Sequence, residues 1–325
     1  MSGKQKNKSK SMQSPSIITE GLPLFAALDL GTNSCRMLIA RPRKNDFEVI
    51  DAFSKTVYLG KGMDSTGKLS NSAMRRTISA LHVCQKKLNQ NDVKYSRLVA
   101  TAACRQALNG RDFIKRVRKD TKLKLEIIKP SEEARLAVIG SVGHLKAKTE
   151  QVLVVDIGGG STEFVLGTDS VDNAISVNIG CVRMTERHFR NDPPTADEIA
   201  IARSDIQNAI DIASASVDIK SAKTLVCVAG TATTVAAAAL NLPEYDRHAI
   251  HLSRISADQV HAVSNKFLTM TRDERAALGY MHPGRVDVIT AGSLVLSKIV
   301  KATGAKEFVA SENDILDGMA WSLAK

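Results

Sequence analysis

The 325-residue chain lacks several features that mark particular protein classes. Aromatic residues make up only 4%, so the cores must be mostly aliphatic, which suits a buried parallel sheet covered by helices. No run of about 18 apolar residues occurs, so we expect no membrane span. Cysteines are few, odd in number and without CxxC spacing, which predicts reduced, buried thiols in a cytosolic protein. They are Cys35, Cys84, Cys104, Cys181 and Cys227.

Export signals and two common nucleotide motifs are also missing. The N-terminus is charged, but the apolar stretch after it contains Pro23 and stops at Asp29, so it is a poor secretory signal. We therefore expect a cytoplasmic protein without membrane contact. Neither the Walker A pattern GxxxxGK[ST] nor GxGxxG is present, so any phosphate site must be of another kind.

Charge is the most unusual bulk property. The chain has 45 Lys and Arg against 34 Asp and Glu, a net charge of +11. Four lysines lie in the first ten residues, yet the remainder is still basic without them. A basic body attracts anionic partners, although charge alone does not distinguish nucleic acid, a membrane surface and polyphosphate.

One sequence pattern occurs twice, 127 residues apart. Asp29-Leu-Gly-Thr-Asn-Ser34 and Asp156-Ile-Gly-Gly-Gly-Ser161 each follow an apolar strand and precede another. Elsewhere strand-like and helix-like segments alternate, which indicates α/β architecture. A duplicated hairpin predicts two related lobes with a cleft between them.

These patterns divide the chain into three parts. We predict a basic, disordered tail over residues 1–23, a first domain over 24–145 and a second over 146–325. The last helix of the second domain is free to pack back on the first domain.

The glycine-rich turn of the second hairpin suits phosphate binding. Gly158, Gly159 and Gly160 can present backbone N–H groups with no Cβ in the way, and Ser161 adds a hydroxyl. The turn lies between two acids, Asp156 and Glu163. Carboxylates beside bound phosphate are a typical setting for Mg²⁺.

Two further turns offer short polar groups. Thr32, Asn33 and Ser34 replace the glycines in the first hairpin, where they either bind phosphate or form an Asx-type turn. Gly230 and Thr231 follow a predicted strand and open a helix, which is a possible anion site or a plain strand–helix turn. Such phosphate-binding hairpins resemble those of actin-like ATPases and sugar kinases. This resemblance alone does not decide whether the protein is a kinase, an ATPase or a phosphatase.

The remaining motifs narrow the choice. The sequence resembles the Ppx/GppA family of exopolyphosphatases and guanosine pentaphosphate phosphohydrolases, and the matching motifs keep the family's order along the chain. Besides the two hairpins, they are Val99-Ala-Thr-Ala-Ala-Cys-Arg105, Ser131-Glu-Glu-Ala-Arg135, Ile179-Gly-Cys-Val-Arg-Met-Thr-Glu186 and Ala229-Gly-Thr231. The resemblance covers about residues 24–325. It implies two actin-like (ribonuclease H-like) domains around a cleft, in the short form that ends after both domains.

The resemblance also implies roles for matched positions. Glu133 falls where the family has the catalytic base that activates water, with Glu132 as the neighbouring alternative. Arg105 matches a phosphate-contacting arginine. Asp156 and Glu163 match the acids associated with Mg²⁺, and Asp29 is the equivalent acid of the first hairpin.

The expected function is therefore Mg²⁺-dependent release of orthophosphate from the ends of inorganic polyphosphate. Three alternatives stay open: hydrolysis of guanosine pentaphosphate (pppGpp), an actin-like ATPase or nucleotide sensor with a base pocket around 230–234, and a non-catalytic anion-binding protein. We expect no nucleic-acid partner, and by analogy a homodimer. The basic segment 115–119 either lines the path of polyphosphate or is a solvated helix face.

Overall fold

The computed structural model describes residues 22–43, 46–142, 150–168 and 170–324. The predicted tail falls almost wholly on residues 1–21, and the predicted boundary at 145/146 falls within 143–149; both lie outside the described residues. No helix of the described ranges is long and apolar enough to span a membrane. The five cysteines are free and buried, as predicted.

The first lobe holds five strands and five helices in its described part. Its strands are β1 (Phe25–Leu30), β2 (Ser34–Arg43), β3 (Asp46–Thr56), β4 (Tyr95–Ala100) and β5 (Glu126–Ile127). Its helices are α1 (Met63–Thr66), α2 (Asn71–Gln90), α3 (Ala102–Gln106), α4 (Gly110–Thr121) and α5 (Pro130–Val142).

The second lobe is larger. Its strands are β6 (Val152–Ile157), β7 (Thr162–Gly167), β8 (Val171–Val177), β9 (Thr224–Val228), β10 (Arg254–Ser256) and β11 (Glu307–Ala310). Its helices are α6 (Cys181–His188), α7 (Ala196–Ser216), α8 (Ala229–Ala239), α9 (Arg247–Ile250), α10 (Ala257–Thr269), α11 (Arg272–Ala276), α12 (Ile289–Thr303) and α13 (Ile315–Ala324).

The two sheets have the same topology. The first has the order β3-β2-β1-β4-β5, and the second has β8-β7-β6-β9-β11 with β10 added at the edge. In each, the first three strands form an antiparallel meander, and a fourth strand then pairs in parallel with the first. This repeat confirms the predicted α/β fold of two actin-like domains.

The duplicated hairpins superimpose in register as well as in sequence. Asp29 pairs across the β1–β2 ladder with Arg36, and Asp156 pairs across β6–β7 with Glu163. The same backbone hydrogen bond closes both turns, from Gly31 N to the Ser34 carbonyl at 2.9 Å and from Gly158 N to the Ser161 carbonyl at 3.0 Å. Both turns therefore lie at equivalent ends of their sheets.

Helices α5 and α13 fill the space between the sheets. Apolar residues of α13 pack with those of β1 and β2, whereas Ala134 and Val138 of α5 pack on the second sheet. The two helices touch through their backbones, since a Cβ at Gly318 of α13 would lie 1.9 Å from the Leu136 carbonyl oxygen of α5. Each lobe thus contributes one helix to the interface that positions the cleft.

Candidate active site

The cleft forms where the ends of β1, β4, β6 and β9 meet. A cavity of about 70 Å³ is lined by both hairpin turns, by the start of α5 and by the β9–α8 turn. Parallel strands deliver their carboxyl ends to one edge of a sheet, and in folds of this kind ligands bind at such edges. Residues far apart in the chain are thereby collected at one place.

The two hairpin turns face and touch each other. A Cβ at Gly159 would lie 3.0 Å from the Thr32 Cβ, and one at Gly160 would lie 2.9 Å from the Thr32 hydroxyl oxygen, so glycine permits this close approach. Amides of α6 donate to the Gly158 and Gly159 carbonyls at 2.9–3.1 Å. The N–H groups of Gly159 and Gly160 have no acceptor among the described residues. They are available for an anion.

Four carboxylates lie around this cavity, and among the described residues only Asp29 and Glu133 have an arginine partner. Burial raises the pKa of Asp29, Glu133 and Glu163. Burial, followed by the charges of Asp314 and Glu133, raises the pKa of Asp156 to about 8. So much uncompensated negative charge favours a cation in the cleft.

The oxygen atoms also fit a hard cation such as Mg²⁺. Asp29 Oδ2 accepts from Arg36 at 2.7 Å, but the buried Oδ1 has no hydrogen-bond partner. No described side chain donates to the Asp156 carboxylate, whereas Glu163 Oε1 accepts from two serine hydroxyls. Among the described residues no three acids, histidines or cysteines form a ready metal centre. Mg²⁺ commonly binds through one or two carboxylates and substrate phosphates, which this arrangement permits.

Glu133 occupies the first turn of α5 and points into the cavity. It is 9% exposed, and its Oε2 accepts from Arg105 Nη1 at 2.8 Å. The Ile128 carbonyl accepts from the same nitrogen at 3.0 Å, and the Thr101 hydroxyl also donates to Glu133. A buried carboxylate with a raised pKa and a fixed orientation has the properties of a general base.

Comparisons with known proteins identify the relatives of this chain. Residues 38–325 match the Ppx/GppA phosphatase family. Exopolyphosphatase 2 of Mycobacterium tuberculosis is 39% identical over 93% of this chain and 99% of its own length. The crystal structure of the Aquifex aeolicus family member is 29% identical with a TM-score of 0.77, covering 93% of this chain and 97% of its own.

The chain belongs to the Ppx/GppA phosphatase family. A crystal structure of an exopolyphosphatase-like protein is also similar, at 36% identity and a TM-score of 0.88 over 93% of this chain and 97% of its own. The resemblance inferred from the motifs is therefore confirmed.

Most of the predicted site residues of this family member meet at the cleft. The sequence analysis singled out fifteen residues, and twelve of them line the cavity: Asp29, Thr32, Asn33, Ser34, Glu133, Asp156, Gly158, Gly159, Gly160, Ser161, Glu163 and Gly230. Arg105 reaches the cavity only through its ion pair with Glu133.

Two of the predicted residues lie elsewhere. Glu132 points away from the cavity, where Arg135 and Arg97 bind its carboxylate and lower its pKa to about 2. Thr231 is 1% exposed and packs inside the second lobe, because α8 already begins at Ala229 and turns the Thr231 side chain into the core. The structure does not bring either residue to the cleft.

Three charged residues that the sequence analysis did not single out complete the site. Arg36 bridges Asp29 and Asp314, which joins the first hairpin to the loop before α13. The Arg285 guanidinium lies against Gly230, where a Cβ would approach it to 1.9 Å, and it has no ion-pair partner among the described residues. Arg36 could have been found from the sequence, because it occupies the same position in the first hairpin as Glu163 does in the second. No sequence pattern pointed to Arg285.

A second, larger cavity adjoins the cleft. It measures about 490 Å³ and shares Asn33, Arg36, Gly230 and Arg285 with the cavity of about 70 Å³. Its other walls include two tyrosines and a histidine: Tyr245, Tyr280 and His282. Because the two cavities adjoin, this space has room for a chemical group attached to an anion in the cleft.

Proposed function

We propose that the protein is an exopolyphosphatase that releases orthophosphate from the ends of inorganic polyphosphate. The observation that carries the proposal is the position of Glu133 at a cavity built from two facing phosphate loops. Exopolyphosphatase 2 of M. tuberculosis, at 39% identity along nearly the whole chain, supports the same substrate class.

In this proposal the two loops hold the terminal phosphate. The free N–H groups of Gly159 and Gly160 donate to its oxygens from the second lobe, and the Arg285 guanidinium supplies positive charge beside them. The hairpin of the first lobe closes the other side of the cavity with Thr32 and Asn33. Such positioning accounts for most of the catalysis of phosphoryl transfer.

Glu133 then accepts a proton from the attacking water. The water oxygen forms the new bond to phosphorus while the bridging P–O bond breaks, and the shortened polyphosphate leaves with the bonding electron pair as an anion. Arg105 keeps the Glu133 carboxylate oriented. Asp29 and Asp156 would hold Mg²⁺, and the bound ion would neutralise charge on the phosphate oxygens.

The direct test is phosphate release from long-chain polyphosphate by the purified protein. We expect orthophosphate to appear with Mg²⁺ and to stop when EDTA removes the metal. No release with Mg²⁺, at any chain length, would contradict the proposal.

The cavity of about 490 Å³ favours a second candidate substrate. Its tyrosines and histidine could stack on a base, so pppGpp is the alternative within the family. A comparison of kcat/KM for polyphosphate, pppGpp and ATP decides between an exopolyphosphatase, a pppGpp phosphohydrolase and an ATPase. Cytoplasmic location and a homodimer stay predictions from the sequence, and light scattering after size exclusion measures the second.

A further inference from the structure

A basic concavity lies on the first lobe, apart from both cavities of the cleft. Five cationic side chains line about 540 Å³ of open space: Lys115, Arg118, Lys119, Lys122 and Lys124. All five residues are exposed, and none lines the catalytic cavity or its neighbour. These five residues are named the basic groove.

The charge of the groove is dense and poorly balanced. Residues 115–124 contain six cations and one acid, a net charge of +5 out of +11 for the whole chain. The one acid, Asp120, pairs with Arg116 outside the groove. Within it, Lys115 pairs with the exposed Asp112 at 3.1 Å, and the other four cations have no ion pair among the described residues. Like charges in such proximity repel, and a bound polyanion relieves that repulsion.

The local fold holds the cations on one surface. Val117 and Thr121 are buried and anchor the last turn of α4. Beyond the helix, the buried Leu123 alternates with the exposed Lys122 and Lys124. A helix C-terminus stabilises nearby cations, but Lys124 lies beyond the last turn, so this effect does not account for the whole cluster.

The groove is connected to the cleft by short stretches of structure. The Arg105 side chain donates to the Ile128 carbonyl at 3.0 Å, and Lys124 precedes Ile128 by four residues. Four extended residues span about 13 Å. Lys124 therefore lies within about 13 Å of the backbone that Arg105 contacts, a separation that a long linear phosphate chain can span.

We propose that the basic groove is a second binding site for inorganic polyphosphate and holds the distal part of a chain whose end is in the cleft. The proposal rests on the proposed function for its substrate. Each phosphate unit carries negative charge, so any segment of the chain presents the same charges to the groove cations. Binding therefore does not depend on which units lie in the groove. The KM for long chains is then lower than that for tripolyphosphate and rises more steeply with salt.

The test compares two triple variants that remove the same charge. The groove variant is Lys119→Gln, Lys122→Gln and Lys124→Gln. The control variant is Lys86→Gln, Lys220→Gln and Lys301→Gln, three exposed lysines without ion pairs in the described structure. We expect the KM for long-chain polyphosphate to rise about tenfold in the groove variant alone, with the KM for tripolyphosphate unchanged. Equal KM values for long chains in both variants would overturn the proposal.

A binding experiment separates this proposal from the proposed catalytic function. Each triple variant is combined with Glu133→Gln, and the Kd for a fluorescently labelled long chain is measured by anisotropy with Mg²⁺ present. A weaker Kd in the groove combination alone supports the groove even if the native protein hydrolyses no polyphosphate. If the groove substitutions weaken binding of duplex DNA and leave polyphosphate binding unchanged, the groove belongs to a nucleic acid and the proposal is wrong.

Discussion

Replacing Glu133 by glutamine is the sharpest test of the catalytic assignment. Glutamine has the same shape and can still accept from Arg105 through its amide oxygen, so the side chain should stay in place. What it loses is the ability to take a proton from water. General base catalysis contributes about 10²- to 10⁴-fold, so kcat should fall by that factor, equivalent to about 3–5 kcal/mol.

The neighbouring glutamate provides a matched control. Glu132 belongs to the same helical turn but pairs with Arg97 and Arg135 outside the cavity. Its replacement by glutamine should leave kcat near the native value, with a loss of stability of about 1 kcal/mol from the helix N-terminus and the partly exposed ion pairs. Phosphate release at saturating polyphosphate measures kcat, and thermal unfolding confirms that both variants fold.

The pH profile supplies an independent check. Burial raises the pKa of Glu133 above its ordinary value of 4.5, against the opposing charge of Arg105. The base works only when ionised, so the acid limb of kcat/KM should lie above that value. Arg105→Met removes the charge that favours the ionised form and should move the limb to higher pH, whereas Arg105→Lys should move it less. Native turnover by a folded Glu133→Gln protein, or equal losses in both glutamine variants, would refute the assignment.

Three further outcomes are expected. Burial and neighbouring charges raise the pKa of Asp156 to about 8, so without Mg²⁺ the free energy of unfolding should fall as pH rises from about 4 to 8, because the unfolded chain releases this proton at its ordinary pKa of 3.8. Added Mg²⁺ should raise Tm most at the upper end of that range, and Asp156→Asn should lose most of the shift in scanning fluorimetry. Arg285→Ala should lower kcat/KM about 10- to 100-fold because a charge-assisted hydrogen bond to phosphate is lost, with partial recovery in Arg285→Lys; an unchanged value removes Arg285 from the site. Arg183 donates to the Gly160 carbonyl at 2.8 Å and also binds Asp64, so Arg183→Met should raise KM by loosening the phosphate loop. Arg187→Met, which loses only contacts away from that loop, should change Tm but leave KM near the native value.

Local sequence patterns determined the two phosphate hairpins. Strand, acid, glycine turn and strand are contiguous, so the pattern that starts at Asp29 and recurs at Asp156 predicts both local structure and the duplication of the lobes. Buried strands and tight turns are specified by residues close together in the chain. The fold class and the positions of the phosphate loops could therefore be predicted.

The sequence could not decide which of two adjacent glutamates on α5 faces the cleft. The spacing of Glu132 and Glu133 gives no reason to prefer either as the base, and only family resemblance favoured the second. The structure separates them because α5 packs Ala134, Leu136 and Val138 between the two lobes, which fixes the rotation of the helix. The rotation of a helix also decides the position of Thr231: α8 begins at Ala229, which turns the Thr231 side chain into the core.

The remaining contributors depend on contacts across the whole chain. Asp314 reaches Arg36 over 278 residues, and the Asn33 side chain donates to the Gly284 carbonyl over 251 residues. No local pattern encodes such pairs, because they form only when α13 and the loop before α12 close over the cleft. The sequence by itself thus determined the two hairpin turns that we propose bind phosphate, whereas tertiary packing decided which acid faces the cavity and which arginines surround it.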